Sequence, residues 1–254
     1  MKMRSYYLGE LTWVDVEEFL KRHKTVIVPF GSCEQHGPHL PLDTDAYDAF
    51  WLSVKAAEEA RCALVAPPIY YGVSSHHMDF PGTITLNPQT LEQTAYEVGI
   101  CLVKHGFKKV LFENGHGGNT PALEAAAQRI KAETDAFVAI DTVSLIPDFI
   151  EQFIETPYDA HAGEFETSTS LANREKYVVK ERIAKPQITL PKSKYIKIGL
   201  KEAGPKVSWA FRTKEISSTG VIGDPTKASK EKGEKAWKLA IERLAELLKE
   251  LDSM

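Results

Sequence analysis

The chain has 254 residues, a formal net charge of −4, 43% hydrophobic residues and 26% charged residues. That length allows one domain with a well-buried core. The slightly acidic balance excludes the basic face that a nucleic-acid partner demands, and no apolar run approaches the roughly 20 residues of a membrane span. The start of the chain, Met1 to Tyr6, is polar rather than an apolar signal core. Three widely spaced cysteines, Cys33, Cys62 and Cys101, form no CxxC pair and fit a reducing compartment, so a cytoplasmic location is expected. No linker, repeat, low-complexity tract or charge block interrupts the chain, and residues 1–254 read as a single domain.

In chain order, Thr25–Phe30 is a short apolar run closed by the Gly31-Ser32 turn and reads as a buried strand. Asp45–Ala60 carries apolar residues at helical spacing, and Ala63–Pro67 is a second short strand closed by Pro67-Pro68. Pro88–His105 reads as a helix with proline at its start and Gly106 beyond its end. Lys109–Glu113 is a strand running into Asn114-Gly-His-Gly-Gly118, Thr120–Thr134 a helix, and Ala136–Asp141 a further strand. The C-terminal helix, Lys227–Leu251, puts Trp237, Ala240, Ile241, Leu244, Leu248 and Leu251 on one stripe, which predicts docking on the domain's own core. Strands and helices alternate with short connections, so the expected fold is α/β with parallel strands and helices on both faces. Ligand sites in such sheets lie beyond the carboxyl ends of the strands. Glu34, His36 and His116 all fall there.

The segment Glu34-Gln-His36-Gly-Pro-His39-Leu-Pro-Leu-Asp43-Thr-Asp45 concentrates imidazoles and carboxylates directly after the first strand. That mixture suits Zn²⁺, Mn²⁺ or Fe²⁺ better than Ca²⁺ or Mg²⁺, which prefer oxygen shells. In Glu34-x-His36 two side chains lie on one side of an extended segment. Asp45, at the start of the next helix, offers two oxygens that can bridge two cations. His116 stands among Gly115, Gly117 and Gly118, which let backbone approach a ligand and present N–H groups at a helix start. His161-Ala-Gly-Glu164-Phe-Glu166 opens another helix with a histidine and two acids. Taken singly, a histidine or glutamate at a strand end is more often a hydrogen-bonded loop residue than a ligand. His23 and His105 are read so, Cys33 as a small buried filler, and Asp43 and Asp48 as residues that cap and solvate a helix start. The joint occurrence of Glu34, His36, Asp45, His116, His161 and Glu164 at loop ends is not what packing alone produces.

Four segments carry a resemblance: Gly31-Ser-Cys-Glu34-Gln-His36 through Asp45, His77-Met-Asp-Phe-Pro-Gly-Thr83, Asn114-Gly-His116-Gly-Gly-Asn119, and His161-Ala-Gly-Glu-Phe-Glu166-Thr-Ser168. In this order they resemble the signatures of the creatininase (creatinine amidohydrolase) family, and Gly220-Val-Ile-Gly-Asp-Pro225 resembles its late loop. The resemblance runs from about residue 8 to residue 245. It implies a three-layer α/β/α sandwich with a mainly parallel central sheet, two divalent metal ions per subunit (Zn, Mn or Fe) and a homohexamer.

Carried over residue by residue, the resemblance implies that Glu34, Asp45 and His116 hold one metal, and that His36 and Asp45 hold the other with Asp45 bridging. Members that open creatinine have a glutamate ligand where this chain has Gly118. A replacement carboxylate is therefore required; Glu164 is the candidate, with Glu166 orienting a ligand histidine, an assignment that can be exchanged. Glu34 and His161 are the expected catalytic residues, His161 as proton donor to the leaving group or as support for the tetrahedral oxyanion. His77, Gly117, Gly118, Asn119 and Tyr158 are expected around substrate or ligands, with the N–H groups of Gly117 and Gly118 facing the oxyanion.

The implied reaction is metal-assisted hydrolysis at a carbonyl, foremost in a non-peptide or cyclic amide of a small molecule. The tryptophans that close over creatinine in those members find no counterpart here, since Pro157 and Tyr158 stand at the place of one of them. The alternatives are deformylation of a formamidopyrimidine nucleotide, which needs a phosphate clamp such as Arg212 or Lys214, and opening of a cyclic diketone of inositol breakdown at a C–C bond. Behind these stand a small-peptide processing peptidase and a non-catalytic metal-holding partner protein.

Overall fold

A computed structural model describes residues 3–142, 153–196, 198–199, 207 and 209–254. Four parallel strands, β1 (Thr25–Phe30), β2 (Ala63–Val65), β3 (Lys109–Asn114) and β4 (Phe137–Thr142), form one sheet in the order β2-β1-β3-β4. The register aligns Phe30 with Asn114 and Asn114 with Thr142, so β1, β3 and β4 finish level at one edge. Helices α1 (Trp13–Leu20), α2 (Thr44–Ala60), α3 (Pro88–Lys104) and α4 (Thr120–Glu133) alternate with the strands. Later in the described residues come α5 (Glu164–Asn173), the single turn α6 (Thr213–Ile216) and the long α7 (Lys230–Ser253).

The alternation of side chains along each strand divides the core between the two faces. Val26, Val28 and Phe30 of β1, with Val110 and Phe112 of β3, pack against Phe19 of α1, Leu91 and Ala95 of α3, and Leu123, Ala126 and Ile130 of α4. Ile27 and Leu111 point the other way, onto Leu52 and Ala56 of α2 and Trp237, Ala240, Leu244 and Leu248 of α7. The result is the three-layer α/β/α arrangement with a parallel central sheet that the sequence predicts.

The predicted stripe of α7 is its core face, with Ile241 partly buried at the margin. The Trp237 indole N–H fastens it to α5 by donating to the Thr169 carbonyl (3.0 Å). α1, which the spacing did not announce, starts at a capping box in which Thr12 and Asp15 satisfy each other's backbone N–H groups. β2 stops at Val65, short of the predicted Pro67, because prolines cannot donate to a sheet ladder. No helix among the described residues is long and apolar enough to cross a membrane.

Candidate metal centre

The centre assembles where the sheet register predicts, at the carboxyl ends of β1 and β3. Gly115 makes the close approach possible: a Cβ there would stand 2.2 Å from the Asp45 carbonyl oxygen. Only glycine lets the exit of β3 pass against the first turn of α2, which sets His116 beside Asp45. His116 Nδ1 then lies 3.2 Å from Glu34 Oε2 and 3.2 Å from Asp45 Oδ2. Its other nitrogen, Nε2, donates to the Val73 carbonyl (3.0 Å), which fixes the tautomer and turns the Nδ1 lone pair into the cluster. His36 is oriented the same way. Its Nδ1 donates to the Glu34 carbonyl (3.1 Å), and its Nε2 faces Asp45 Oδ1 at 2.9 Å and Glu166 Oε2 at 3.8 Å.

Two triads with ligand atoms close enough to share one ion result, Glu34–Asp45–His116 and His36–Asp45–Glu166. Asp45 belongs to both. A third grouping joins Glu34, His36 and His161. Both carboxylate oxygens of Glu34 and Oδ2 of Asp45 are buried without a hydrogen-bond donor. Buried carboxylates are costly unless paired with donors or cations, so divalent cations fit the donor set present here.

The protonation pattern makes the same demand. Burial raises the Glu34 carboxyl above its ordinary range, although His116 opposes the shift. Burial works against charge on His36 and His116, yet the surrounding acids outweigh it: Asp45 holds His36 well above the usual imidazole range, and Glu34 and Asp45 push His116 up to about 9. Asp45 stays well below the usual carboxylate range despite its burial, because His36 and His116 hold it ionised. Glu166 is pushed up to about 8 by burial, against the pull of His36. The cluster collects protons where cations would otherwise balance its acids.

The sequence left Glu164 and Glu166 exchangeable, with Glu164 the first candidate, and the geometry favours the exchange. Glu164 is fully buried, but its Oε2 accepts from the backbone N–H groups of Glu155 (2.9 Å) and Thr156 (2.8 Å) and from the Thr156 hydroxyl (2.8 Å). Its Oε1 takes the Lys232 ammonium at 2.6 Å. These partners occupy Glu164 away from the centre. Residues two apart on a helix point about 200° apart, so only one of the two acids can face His36. Glu166 does, and the Ala162 backbone N–H donates to its Oε2.

The remaining expected residues divide. His161 lies at the site, with Nε2 donating to the Gln35 carbonyl (2.6 Å) and Nδ1 turned to Glu34 Oε1 at 3.6 Å. Burial, then His36, holds His161 well below the usual imidazole range, so it is a neutral acceptor before it can donate. His77 Nε2 stands 3.2 Å from Glu34 Oε1, and its Nδ1 meets Gln35 and Thr213. Gly117 and Gly118 line the cavity. Asn119 and Tyr158 do not; Asn119 ties loops together, accepting from Val73 N (2.9 Å) and donating to the Gly31 carbonyl (3.0 Å). Arg212 and Lys214 lie outside the lining as well. Asp43 takes Arg174 at 2.6 Å instead of capping α2, and Asp48 is buried rather than solvated.

The cavity over the centre measures about 350 Å³, and sequence reasoning missed several residues in its wall and behind it. Gln35, inside the first motif, contacts His77 (2.8 Å) and His161 (2.9 Å). Asp159 accepts from the first N–H groups of α5, Glu164 N (2.7 Å) and Phe165 N (2.8 Å), and is pushed up to about 7 by burial despite them. His76 and Phe211 form one wall. The doubled His76-His77 was the available signal for the first of these. Phe211 follows a segment with no periodicity and gave none.

A parallel sheet carrying two carboxylate–histidine triads at its strand ends defines a candidate metallohydrolase of the α/β/α class. The chain matches the creatininase (creatinine amidohydrolase) family over residues 9–248 and belongs to it. It is 35% identical over 230 residues to the mycofactocin precursor peptide peptidase of Mycolicibacterium smegmatis, covering 88% of this chain and 84% of the relative. It is 27% identical over 260 residues to the 3-dehydro-scyllo-inosose hydrolase of Thermotoga maritima, covering 96% and 83%. The creatinine amidohydrolase of Pseudomonas putida is 25% identical over 272 residues, covering 97% of each chain. Solved structures of a manganese creatininase and of a Zn–Zn form of a creatininase variant each superimpose with a TM-score of 0.80 at 25% identity, over 98% of this chain and 99% of theirs.

Proposed function

We propose that this chain hydrolyses an amide C–N bond in a short peptide, with one divalent cation held by Glu34, Asp45 and His116 and a second by His36, Asp45 and Glu166. The observation that carries the metal dependence is the pair of triads sharing Asp45, with the buried Glu34 and Asp45 oxygens gathered against the nitrogens of His36, His77 and His116. The manganese and Zn–Zn forms of related creatininases support Mn or Zn as occupants; iron remains chemically suited to the same donors. Cations bound there supply Lewis acidity toward a carbonyl and acidify water.

The chain's own residues do the rest. Neutral His161, anchored through Nε2 to Gln35, offers Nδ1 beside Glu34 as the acceptor for a proton that then passes to the leaving nitrogen. Gln35 accepts from His161 through its backbone carbonyl and meets His77 through its side-chain amide, so a residue between the two ligands of the first motif sets the geometry of the proton-transfer group. The backbone N–H groups of Gly117 and Gly118, on the cavity wall, are suited to stabilise the oxyanion.

A peptide amide is favoured over creatinine by two observations. The 35% identical relative is named as a precursor peptide peptidase, and no tryptophan lines the cavity among the described residues. Cyclic amide hydrolysis is the second reading, favoured by the creatinine amidohydrolase relative, and opening of a cyclic ketone the third. Nucleotide deformylation loses ground because Arg212 and Lys214 stand outside the cavity lining. A homohexamer in the cytoplasm accords with the family resemblance, and mass in solution tests the assembly.

The functional test incubates protein loaded with Mn²⁺, Zn²⁺ or Fe²⁺ with short peptides, creatinine and a cyclic diketone. Release of amine from a peptide, abolished by chelator and restored by metal, supports the reading. Turnover of creatinine or the diketone alone replaces the substrate, and no chelator-sensitive hydrolysis of any kind leaves the partner-protein reading.

A further inference from the structure

We propose that His76 and Phe211 form a substrate subsite beside the Glu34–Asp45–His116 triad, and that it receives an aromatic side chain flanking the bond to be cleaved. This subsite deepens the amidohydrolase reading and rests on it for its place next to the scissile amide.

Rings run in a row along one wall of the cavity. The His76 ring lies nearly parallel to that of His116, with centroids 5.7 Å apart and planes 10° apart. Phe211 meets His76 edge-on at 5.8 Å and 68°, and Trp209 backs Phe211 at 4.8 Å. His76 and Phe211 both line the cavity, whereas Trp209 does not. The 3₁₀ turn Ser75–His77 divides two adjacent histidines between two tasks. His77 is buried against Glu34, while His76 is half-buried and makes no hydrogen bond or ion pair among the described residues.

A half-buried phenylalanine and a polar ring without a polar partner, set at the mouth of a reactive centre, are surfaces that gain when a flat group covers them. An aliphatic side chain would gain burial alone. A ring adds edge-to-face and offset contacts with Phe211 and His76, a preference of about three- to tenfold. No lysine or arginine lines this cavity among the described residues, so the wall selects for a neutral planar group rather than for an anion. Because the row begins at His116, its occupant is adjacent to the carbonyl held over the triad.

The test uses manganese-loaded protein and two probes, N-acetyl-phenylalanine amide and N-acetyl-leucine amide, with binding followed by calorimetry. Hydrolysis of Ala-Phe-Ala and Ala-Leu-Ala is measured on the same samples. The expected result is a three- to tenfold preference for the phenylalanine probe. That preference falls below twofold in Phe211→Leu and in His76→Gln, with metal content and Tm unchanged. A parent that binds both probes equally or neither, or a preference that survives both substitutions, overturns the subsite. Hydrolysis without a ring preference keeps the amidohydrolase reading and removes the subsite. A ring preference without hydrolysis keeps a ring-binding wall, removes the peptide substrate and so overturns the subsite's place beside a scissile bond.

Discussion

The loops that close β1 and β3 and the first turn of α5 both bring acids to the same centre, but they do so under different constraints. At the strand ends the backbone fixes the answer: parallel pairing of Phe30 with Asn114 sets the two loops side by side, and Gly115 lets them touch. Glu34, His36, Asp45 and His116 are turned onto one another, with His77 at Glu34 and the Ser74 hydroxyl at His116 as flanking partners. On α5 the helix offers two acids, and its pitch decides between them. Glu166 faces His36, and Glu164, buried on another side of the helix, neutralises Lys232 and caps the backbone at Glu155 and Thr156. A carboxylate near a metal site is thus read correctly only when its phase around the helix is known.

Substitutions can break this comparison, and the largest effect is expected at the strand ends. Glu34→Gln should lower hydrolysis on the order of a thousandfold, while the metal-free protein stays folded, because the amide keeps the shape of the carboxyl against His77 and His116. Turnover and calorimetry on one preparation check both halves. Glu166→Gln should follow, with about a hundredfold loss of turnover and one equivalent of metal gone.

The first-motif residues were legible because a strand followed by a dense His/Asp/Glu loop needs only a parallel sheet to become a site. The sheet, its helices and the core stripe of α7 were legible from periodicity for the same reason, since spacing alone decides which side is buried. The choice between Glu164 and Glu166 was not, because it depends on where α5 begins and on Lys232, nearly seventy positions later in the chain. Asp159, which sets that helix start through two backbone N–H groups, stands five residues before Glu164 and resembles an ordinary turn acid in sequence.

Glu164→Gln should separate stability from function. Metal content is kept, and stability falls by about 2 kcal/mol, less than a fully enclosed ion pair would lose because Lys232 is partly exposed. Denaturant midpoints at fixed metal concentration measure it. Gly118→Glu sharpens the same point. A Cβ at that position would lie 2.3 Å from the Val73 carbonyl and 2.5 Å from His116 Nε2, so this change should destabilise the protein and fail to restore metal to Glu166→Gln.

The smallest expected effect lies just behind the site. Burial pushes Asp48 up to about 7 from its ordinary 3.8, although Asn173 and Arg174 oppose the shift. An acid whose native pKa is raised holds its proton longer folded than unfolded, so its contribution to stability falls as pH rises from about 4 through 7. Asp48→Asn should leave stability unchanged near pH 4 and raise it by about 1 kcal/mol above pH 7. The Thr169 hydroxyl then donates to the Glu166 carbonyl and accepts from the new amide. Thermal melts across that range read the sign directly.

The most direct measurement of the central claim is metal per chain, by elemental analysis, in the parent, Glu166→Gln and Glu164→Gln proteins purified without chelator. Two equivalents in the parent, one in Glu166→Gln and two in Glu164→Gln are predicted. One equivalent in Glu164→Gln with two in Glu166→Gln would contradict the geometry of α5, and a parent with fewer than two would contradict the shared Asp45 bridge.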